Sequence, residues 1–248
     1  MPTPQPFPRV AEIGLSGLLV SFGDRLDDRA NRAALAFRAA AEAAGWPDLV
    51  ETAPSLASVH LEFAPLHAQA GSRSARIDSL LASRDWMTAP LPQGRRRWTI
   101  PAVFGGPLAP QLSEAAALGN ADDAALIAAL CGAPLRVLTL GFAPGQPYLG
   151  TLPDQWDIPR QTSLTRMVPE GAIVLAVRQL VLFSRPSPTG WRHVAQSAFR
   201  CFRPDSPSPF PLVPGDEIAL RPITEDALNA IRAQDTTGDG GAACEDLS

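Results

Sequence analysis

The sequence predicts an α+β protein built from two units, and three observations carry that reading. At 248 residues the chain exceeds the roughly 100–150 residues of a typical single domain. Its first third mixes strand-like alternation with one strongly helical stretch, while its second half consists of short runs of branched residues punctuated by Pro and Gly. An apolar fraction of 46% is enough to give each unit a core.

Taken in order, residues 1–8 carry four prolines and are expected to be disordered. Residues 9–87 read as a small α/β unit. In it, residues 18–22 suit a strand, and Asp27 or Asp28 then caps a helix running to Ala44, with Ala30, Ala34, Phe37 and Ala41 on one face and Gly45 as its stop. Residues 49–53 and 58–63 read as a strand pair, the second alternating Val59, Leu61 and Phe63, and a short helix over 74–82 closes the unit. Residues 88–97, with Pro90, Pro92 and Gly94, read as a linker whose Arg95, Arg96 and Arg97 form a solvated basic face.

Residues 98–223 form the second unit. Helices over 110–117 and 122–130 lead into a strand at 136–140, and the runs 172–177 and 180–183 are dense in branched residues, as buried strands are. The pattern is that of a small barrel or sandwich. The segment 203–214 carries five prolines and is expected to be irregular, and 224–248 is expected to be a short helix and a flexible tail.

Composition excludes several functions. The net charge of -4 comes from 21 basic and 25 acidic residues spread along the chain, which argues against a nucleic-acid or anionic-membrane surface. Every basic residue counted is an arginine. Without lysine there is no P-loop lysine, no Schiff base and no covalently carried biotin. Cys131, Cys201 and Cys244 are odd in number and far apart, which argues against a disulfide framework and a paired-cysteine metal knuckle and points to a cytoplasmic protein with no bound metal. No apolar run approaches the ~20 residues of a membrane span, and no leader is visible.

The segment Gly141-Phe142-Ala143-Pro144-Gly145-Gln146-Pro147-Tyr148-Leu149-Gly150 is the most informative, since glycine lets backbone approach a ligand and proline fixes its path. It holds Tyr148, the only tyrosine. A ligand loop and a barrel corner with a packed tyrosine are equally open readings. Downstream stand Pro159-Arg160, Val168-Pro169-Glu170-Gly171, Gln179, Ser187-Pro188-Thr189-Gly190-Trp191 and Val213-Pro214-Gly215-Asp216. In this order the motifs resemble those of the 5-oxoprolinase B-subunit family, which also includes histidine-kinase-inhibitor proteins, allophanate hydrolase subunit 1 and the urea carboxylase carboxyltransferase-like region. The likeness spans roughly residues 10–222.

The resemblance implies a ferredoxin-like N-terminal domain followed by a cyclophilin-like β-barrel. It also implies a C-subunit partner with a related barrel, an A-subunit protein, and ATP-dependent opening of 5-oxoproline to glutamate, with ATP as substrate accompanied by magnesium. On that basis Arg160 and Arg166 are candidate anion binders and Gln179 a reader of the lactam. Gly141, Phe142, Pro144, Gly145 and Tyr148 would floor a substrate or nucleotide pocket at the barrel mouth. No residue is assigned a catalytic role. His193 reads as a half-buried barrel residue hydrogen-bonded to backbone, His60 as solvent-facing, and Cys131 and Cys201 as core.

The chain departs from the family pattern at Leu130-Cys131, where a histidine is usual, and at Gln146, where an aromatic is usual. It departs again at Leu164-Thr165 in place of a second Pro-Arg, and at Val177-Arg178 in place of glycines. Two functions follow as expectations: an enzyme subunit, or a non-catalytic binding module such as a kinase inhibitor or a structural partner of a diverged C-subunit protein.

Overall fold

The structure is a computed structural model that describes residues 6–65 and 70–247. The chain divides into two compact units after Gln93. Of the N-terminal stretch expected to lack structure, residues 1–5 lie outside the described residues.

In the first unit β1 (Arg9–Ile13) and β2 (Gly17–Ser21) form a hairpin, α1 (Asp28–Ala43) follows, and β3 (Leu49–Pro54) and β4 (Ser58–Phe63) form a second hairpin before α2 (Ala70–Ala82). The sheet order is β1-β2-β4-β3, antiparallel throughout. This is the ferredoxin-like layer the sequence led one to expect, with the strand beside β2 supplied from the N-terminal side. Asp27 caps α1 by accepting from the backbone N–H groups of Arg29 and Ala30 at 2.8 and 3.2 Å. The small Ala30, Ala34 and Ala41 let the helix approach the sheet closely, and Phe37 fills the gap between Phe22 and Trp86 at ring distances of 5.6 and 5.2 Å.

Asp48 is gripped by two arginines. Arg76 donates to both of its carboxylate oxygens at 2.8 and 2.9 Å and Arg73 adds a bond at 3.0 Å. The Arg76 guanidinium, ahead of that of Arg73, holds the Asp48 carboxyl down at about 2. The unfolded value is roughly 3.9, so the stability this group contributes is complete above that pH and is lost as pH falls toward the folded value. Asp48→Asn is therefore expected to lower the melting temperature near neutral pH and to flatten its fall between about pH 4 and 2, as a pair of thermal-melt series would show.

The second unit begins with β5 (Arg96–Phe104), followed by α3 (Leu112–Leu118), α4 (Asp123–Gly132), β6 (Leu135–Leu140), β7 (Pro147–Gly150), β8 (Thr165–Val168), β9 (Ala172–Ala176), β10 (Gln179–Leu182), β11 (Ser187–Thr189), β12 (Arg192–Ser197), β13 (Glu217–Pro222), α5 (Glu225–Gln234) and β14 (Ala243–Asp246). The strand order β12-β9-β10-β7-β6-β13-β5 closes through a β12–β5 pairing, so this unit is a barrel. Only β13 and β5 run parallel among the pairs of that ring. Inward-facing Ile100, Val137, Leu149, Ile173, Leu175, Leu180, Leu182 and Val194 fill it, leaving no open channel, as a small barrel requires.

Two expectations are corrected here. The basic triplet is not a solvated linker face. Arg96 opens β5, and the ladder places it beside the acidic start of β13, where its guanidinium meets Asp216 at 2.7 Å while Arg97 and Arg95 meet Glu217 at 2.9 and 3.2 Å. Nor is the C-terminal segment a loose tail. Its β14 pairs antiparallel with Arg96–Thr99 of β5, on the stretch of edge that β12 leaves uncovered. The turn before it is organised by Asp235, whose carboxylate accepts from the backbone of Thr237, Gly238 and Gly240 at 2.9 to 3.0 Å. Gly240 stands where any Cβ would overlap the backbone of Ala198 and Phe199. Among the described residues no helix is long and apolar enough to cross a membrane.

Candidate functional site: the covered outer face of the barrel

The strands β12, β9, β10 and β7 send alternate side chains inward and outward. Leu175, Leu180, Leu149 and Val194 enter the barrel, while Val174, Val181 and Tyr148 belong to a second apolar cluster on its outside. Pairing sets His193 opposite Val174, Val174 opposite Val181 and Val181 opposite Tyr148. These four residues form one row across the sheet, spanning three strand spacings, about 14 Å. The ribbon of β8 and β11 lies against this face, with Val168 packed among Ala172, Val174, Ala176, Val181, Phe183 and Trp191.

Of the sequence-selected residues, three share this face. The Tyr148 ring meets Trp191 edge-on at 6.2 Å, and the Arg160 guanidinium lies 5.4 Å from the Trp191 ring on the solvent side. Arg160 is placed there because the Gln161 N–H binds the Gly190 carbonyl at 2.7 Å. Gln179 pairs with Gly150 one step along the same face. It is 6% exposed, and among the described residues nothing accepts from its Nε2. Arg166 is exposed on β8, on the alternate side from Thr165 and Met167.

The Gly141–Gly145 segment does different work. It is the tight turn of the β6–β7 hairpin, closed by a bond from the Gly141 N–H to the Gln146 carbonyl at 3.0 Å. Gly145 has φ +68° and sits where a Cβ would overlap the Cys201 carbonyl oxygen, so only glycine fits. Pro144 is exposed, and Phe142 is 75% exposed. Gln146, in the place of the family's aromatic, is buried and accepts from the Ser184 N–H at 3.4 Å.

A cavity of about 610 Å³ opens beside the ribbon, and residues not selected from sequence line it: Gln111, Thr165, Met167, Gln196 and Arg232, together with His193. Gln111 precedes α3 and clasps the β12 backbone, its N–H reaching the His193 carbonyl at 3.1 Å and its Oε1 accepting from the His193 N–H at 2.9 Å. Its amide then passes to Gln161 at 2.7 Å, and Gln161 to Thr165 at 3.2 Å. Burial holds the His193 imidazole below its ordinary value, opposed by the Ala195 backbone and the Gln196 side chain. His193 is more buried than the sequence suggested, at 5% exposure, and its Nε2 has no partner among the described residues. The signal available in sequence was the alternation of His193 with Trp191, which gives its face but not its neighbours. Burial likewise raises the thiol of Cys201, which lies in the barrel core. Among the described residues no group of three His, Cys, Asp or Glu could hold a metal.

The β9–β10 hairpin turns through Val177 and Arg178, both left-handed at φ 45° and 63°. That is the geometry in which two-residue hairpins prefer glycine or asparagine. Arg178 is compensated by a bond to the Leu152 carbonyl at 2.8 Å and an ion pair with Asp154 at 2.6 Å. Val177 has no side-chain compensation and is 37% exposed. Val177→Gly is thus expected to raise stability by about 1 kcal/mol, the release of left-handed strain less the entropy of a freer unfolded chain. Arg178→Gly is expected to gain less, and chemical denaturation of both variants measures the difference.

Comparison with known proteins agrees with this architecture. A family model described as "Carboxyltransferase domain, subdomain C and D" matches residues 8–212. The 5-oxoprolinase B subunit of Bacillus subtilis (strain 168) is 25% identical over 234 residues, which cover 91% of this chain and 97% of that protein. The 5-oxoprolinase B subunit of Escherichia coli O157:H7 is 27% identical over 191 residues, 76% of this chain and 85% of that one. Among solved structures, TTHA0988 aligns with a TM-score of 0.69 and 28% identity over 84% of this chain, which spans only 40% of that longer chain. The Kluyveromyces lactis urea carboxylase aligns with a TM-score of 0.68 at 17% identity, over 96% of this chain and 24% of that one, a likeness that shows the fold alone. With the sequence resemblance, the barrel topology and the family match in agreement, the chain belongs to the carboxyltransferase domain, subdomain C and D family, alongside the 5-oxoprolinase B-subunit proteins.

Proposed function

We propose that this protein is the B-subunit-like component of an ATP-dependent 5-oxoprolinase. With a C-subunit-like partner, and an A-subunit-like protein to complete the reaction, it would convert 5-oxoproline, ATP and water to glutamate, ADP and phosphate. The observation that carries the reading is the near full-length match to a relative named as a 5-oxoprolinase B subunit. The covered face supports it with groups suited to such a substrate. A guanidinium over an indole at Arg160 and Trp191 suits an anion, and the buried Gln179 Nε2, which has no acceptor among the described residues, suits a lactam carbonyl. On this reading Tyr148, Arg160, Arg166 and Gln179 meet substrate or nucleotide, and Gly141, Phe142, Pro144 and Gly145 fix the start of β7 that carries Tyr148. Magnesium would arrive on the ATP phosphates.

The test is reconstitution with a C-subunit-like and an A-subunit-like protein, reading phosphate release. Hydrolysis of ATP that depends on added 5-oxoproline supports the proposal. If none occurs while the same mixture with an established B subunit is active, the proposal falls. Arg160→Ala is expected to raise KM about tenfold, the worth of a charge-assisted hydrogen bond, with little change in melting temperature because Arg160 is exposed. The filling of the aromatic position by the buried Gln146 favours one other reading, a non-catalytic binding module. Retention of a sensor-kinase dimerisation domain with no affinity for the C-subunit-like protein would mark that outcome.

A further inference from the structure

Arg160 lies within residues 157–164, which form neither helix nor strand, and its guanidinium is 5.4 Å from the Trp191 ring. An exposed arginine on an irregular segment ordinarily samples many rotamers, and ordering it takes away much of what it contributes to binding. Here the residues on both sides of it are tied down. On one side the Pro159 carbonyl accepts from the Arg192 guanidinium at 2.5 Å. Arg192 is itself 6% exposed on β12, and its Nε donates at 2.8 Å to Glu114 in the first turn of α3, so the hold on Pro159 is anchored by an ion pair. On the other side Gln161 is fixed at four points. Its N–H binds the Gly190 carbonyl at 2.7 Å, its Nε2 donates to the Trp191 carbonyl at 3.0 Å and to the Thr165 hydroxyl at 3.2 Å, and its Oε1 accepts from Gln111 at 2.7 Å.

Two of these bonds end on the backbone of Gly190 and Trp191, the residues on which Arg160 rests. A Cβ placed on Gly190 would lie 3.9 Å from the Arg160 Cβ, so the stem of Arg160 starts over that glycine and leads on to the indole. The same contacts therefore fix the guanidinium and the ring beneath it. Neither Arg192 nor Gln161 reaches the Arg160 guanidinium, which forms no ion pair among the described residues. Its N–H donors are left for an anion.

We propose that Gln161 and Arg192 are positioning residues, which hold Arg160 over Trp191 in the orientation that meets the anionic group of substrate or nucleotide. For the identity of that group this rests on the function proposed above; for the positioning it rests on the bonds around Arg160 alone. Neither residue touches the ligand. Loss of either frees Arg160 rather than removing it, so the whole effect on binding passes through that guanidinium.

Labelling the arginines of the full chain with 13C tests the positioning without any ligand. The Cδ–Hδ signal of Arg160, identified by its loss from the Arg160→Ala form, is expected to stand apart from the other arginines because of the Trp191 ring current. Gln161→Ala, which keeps the backbone bond to Gly190, is expected to return it to the place of an unrestrained arginine. Arg192→Lys, which keeps a charge for Glu114 but not the fork that also reaches Pro159, is expected to do so in part. A signal unmoved in both variants overturns the proposal. In the reconstituted assembly Gln161→Ala is expected to raise KM about fivefold, the effect of having to order one long side chain, with kcat unchanged. Placed in the Arg160→Ala chain it is expected to add nothing. A further rise in KM there means that Gln161 acts by another route, and it overturns the proposal as well. If ATP hydrolysis dependent on 5-oxoproline is absent from the wild-type assembly, the function falls, and the Arg160 signal then decides the positioning by itself.

Discussion

Asp216→Ala is expected to cost about 3–5 kcal/mol, the range for breaking a buried ion pair from one side. The Asp216 side chain is 0% exposed and satisfies three donors at once. Its Oδ1 accepts from the Arg96 N–H at 3.0 Å, and its Oδ2 accepts from the Arg96 guanidinium at 2.7 Å and from the Val213 N–H at 3.1 Å. Alanine would strand the backbone N–H groups of Arg96 and Val213 and leave the Arg96 guanidinium with the Pro211 carbonyl but no carboxylate, at the point where β13 enters between β5 and β6. A loss of this size is a large share of the ~5–15 kcal/mol that holds an ordinary domain together. Asp216→Asn, which keeps an acceptor but not the charge, should fall between. Urea denaturation at fixed pH reads both variants, and a loss below about 1 kcal/mol for alanine would show that the pair is dispensable.

Trp191→Ala should be comparably damaging, about 3–5 kcal/mol, the usual result of removing a buried indole. The ring is 7% exposed, packs edge-on against Tyr148 at 6.2 Å and anchors the cluster beneath the ribbon. Its backbone is held as well, since the Thr189 hydroxyl accepts from its N–H at 3.0 Å and its carbonyl accepts from Gln161 at 3.0 Å. Those bonds survive truncation, so the loss should be one of packing rather than of local path. Trp191→Phe, which retains a ring, should recover roughly half of it. Equal stability of the alanine and wild-type chains would mean that the ribbon does not rest on this residue.

What could be read in the sequence was whatever is encoded locally. The capped, alanine-striped α1, the alternation of Val59, Leu61 and Phe63 in β4, and the branched runs of β9 and β10 each announce themselves within a few residues. The strands β1 and β14 do not. Nearly all of their residues are exposed, so neither carries an alternating apolar pattern, and each exists because a neighbour offers a free edge. The ion pairs of the basic triplet depend on a ladder between positions some 120 residues apart. Motif order was legible and led to the family. The membership of the cavity was not, because Gln111, Thr165, Gln196 and Arg232 are brought together only when the ribbon folds onto β12 and α5 packs beside it.

Two of the family departures have a physical reading. Val177 and Arg178 occupy a hairpin corner where glycine would be relaxed, and Arg178 offsets part of the strain through Leu152 and Asp154. Gln146 replaces a ring by an amide that the Ser184 N–H satisfies. Both changes leave the register of β7, β9 and β10 intact, so Tyr148 and Gln179 still share one face.

Because Tyr148 is the only tyrosine, replacing it biosynthetically with 3-fluorotyrosine gives a single 19F resonance from the β7 end of the covered face. Titrating 5-oxoproline and a non-hydrolysable ATP analogue into the labelled protein assembled with its C-subunit-like partner should move that resonance to a saturating limit, and the Arg160→Ala form should need more ligand to reach it. A resonance that stays fixed while the same assembly turns over 5-oxoproline would place the chemistry elsewhere and contradict the account.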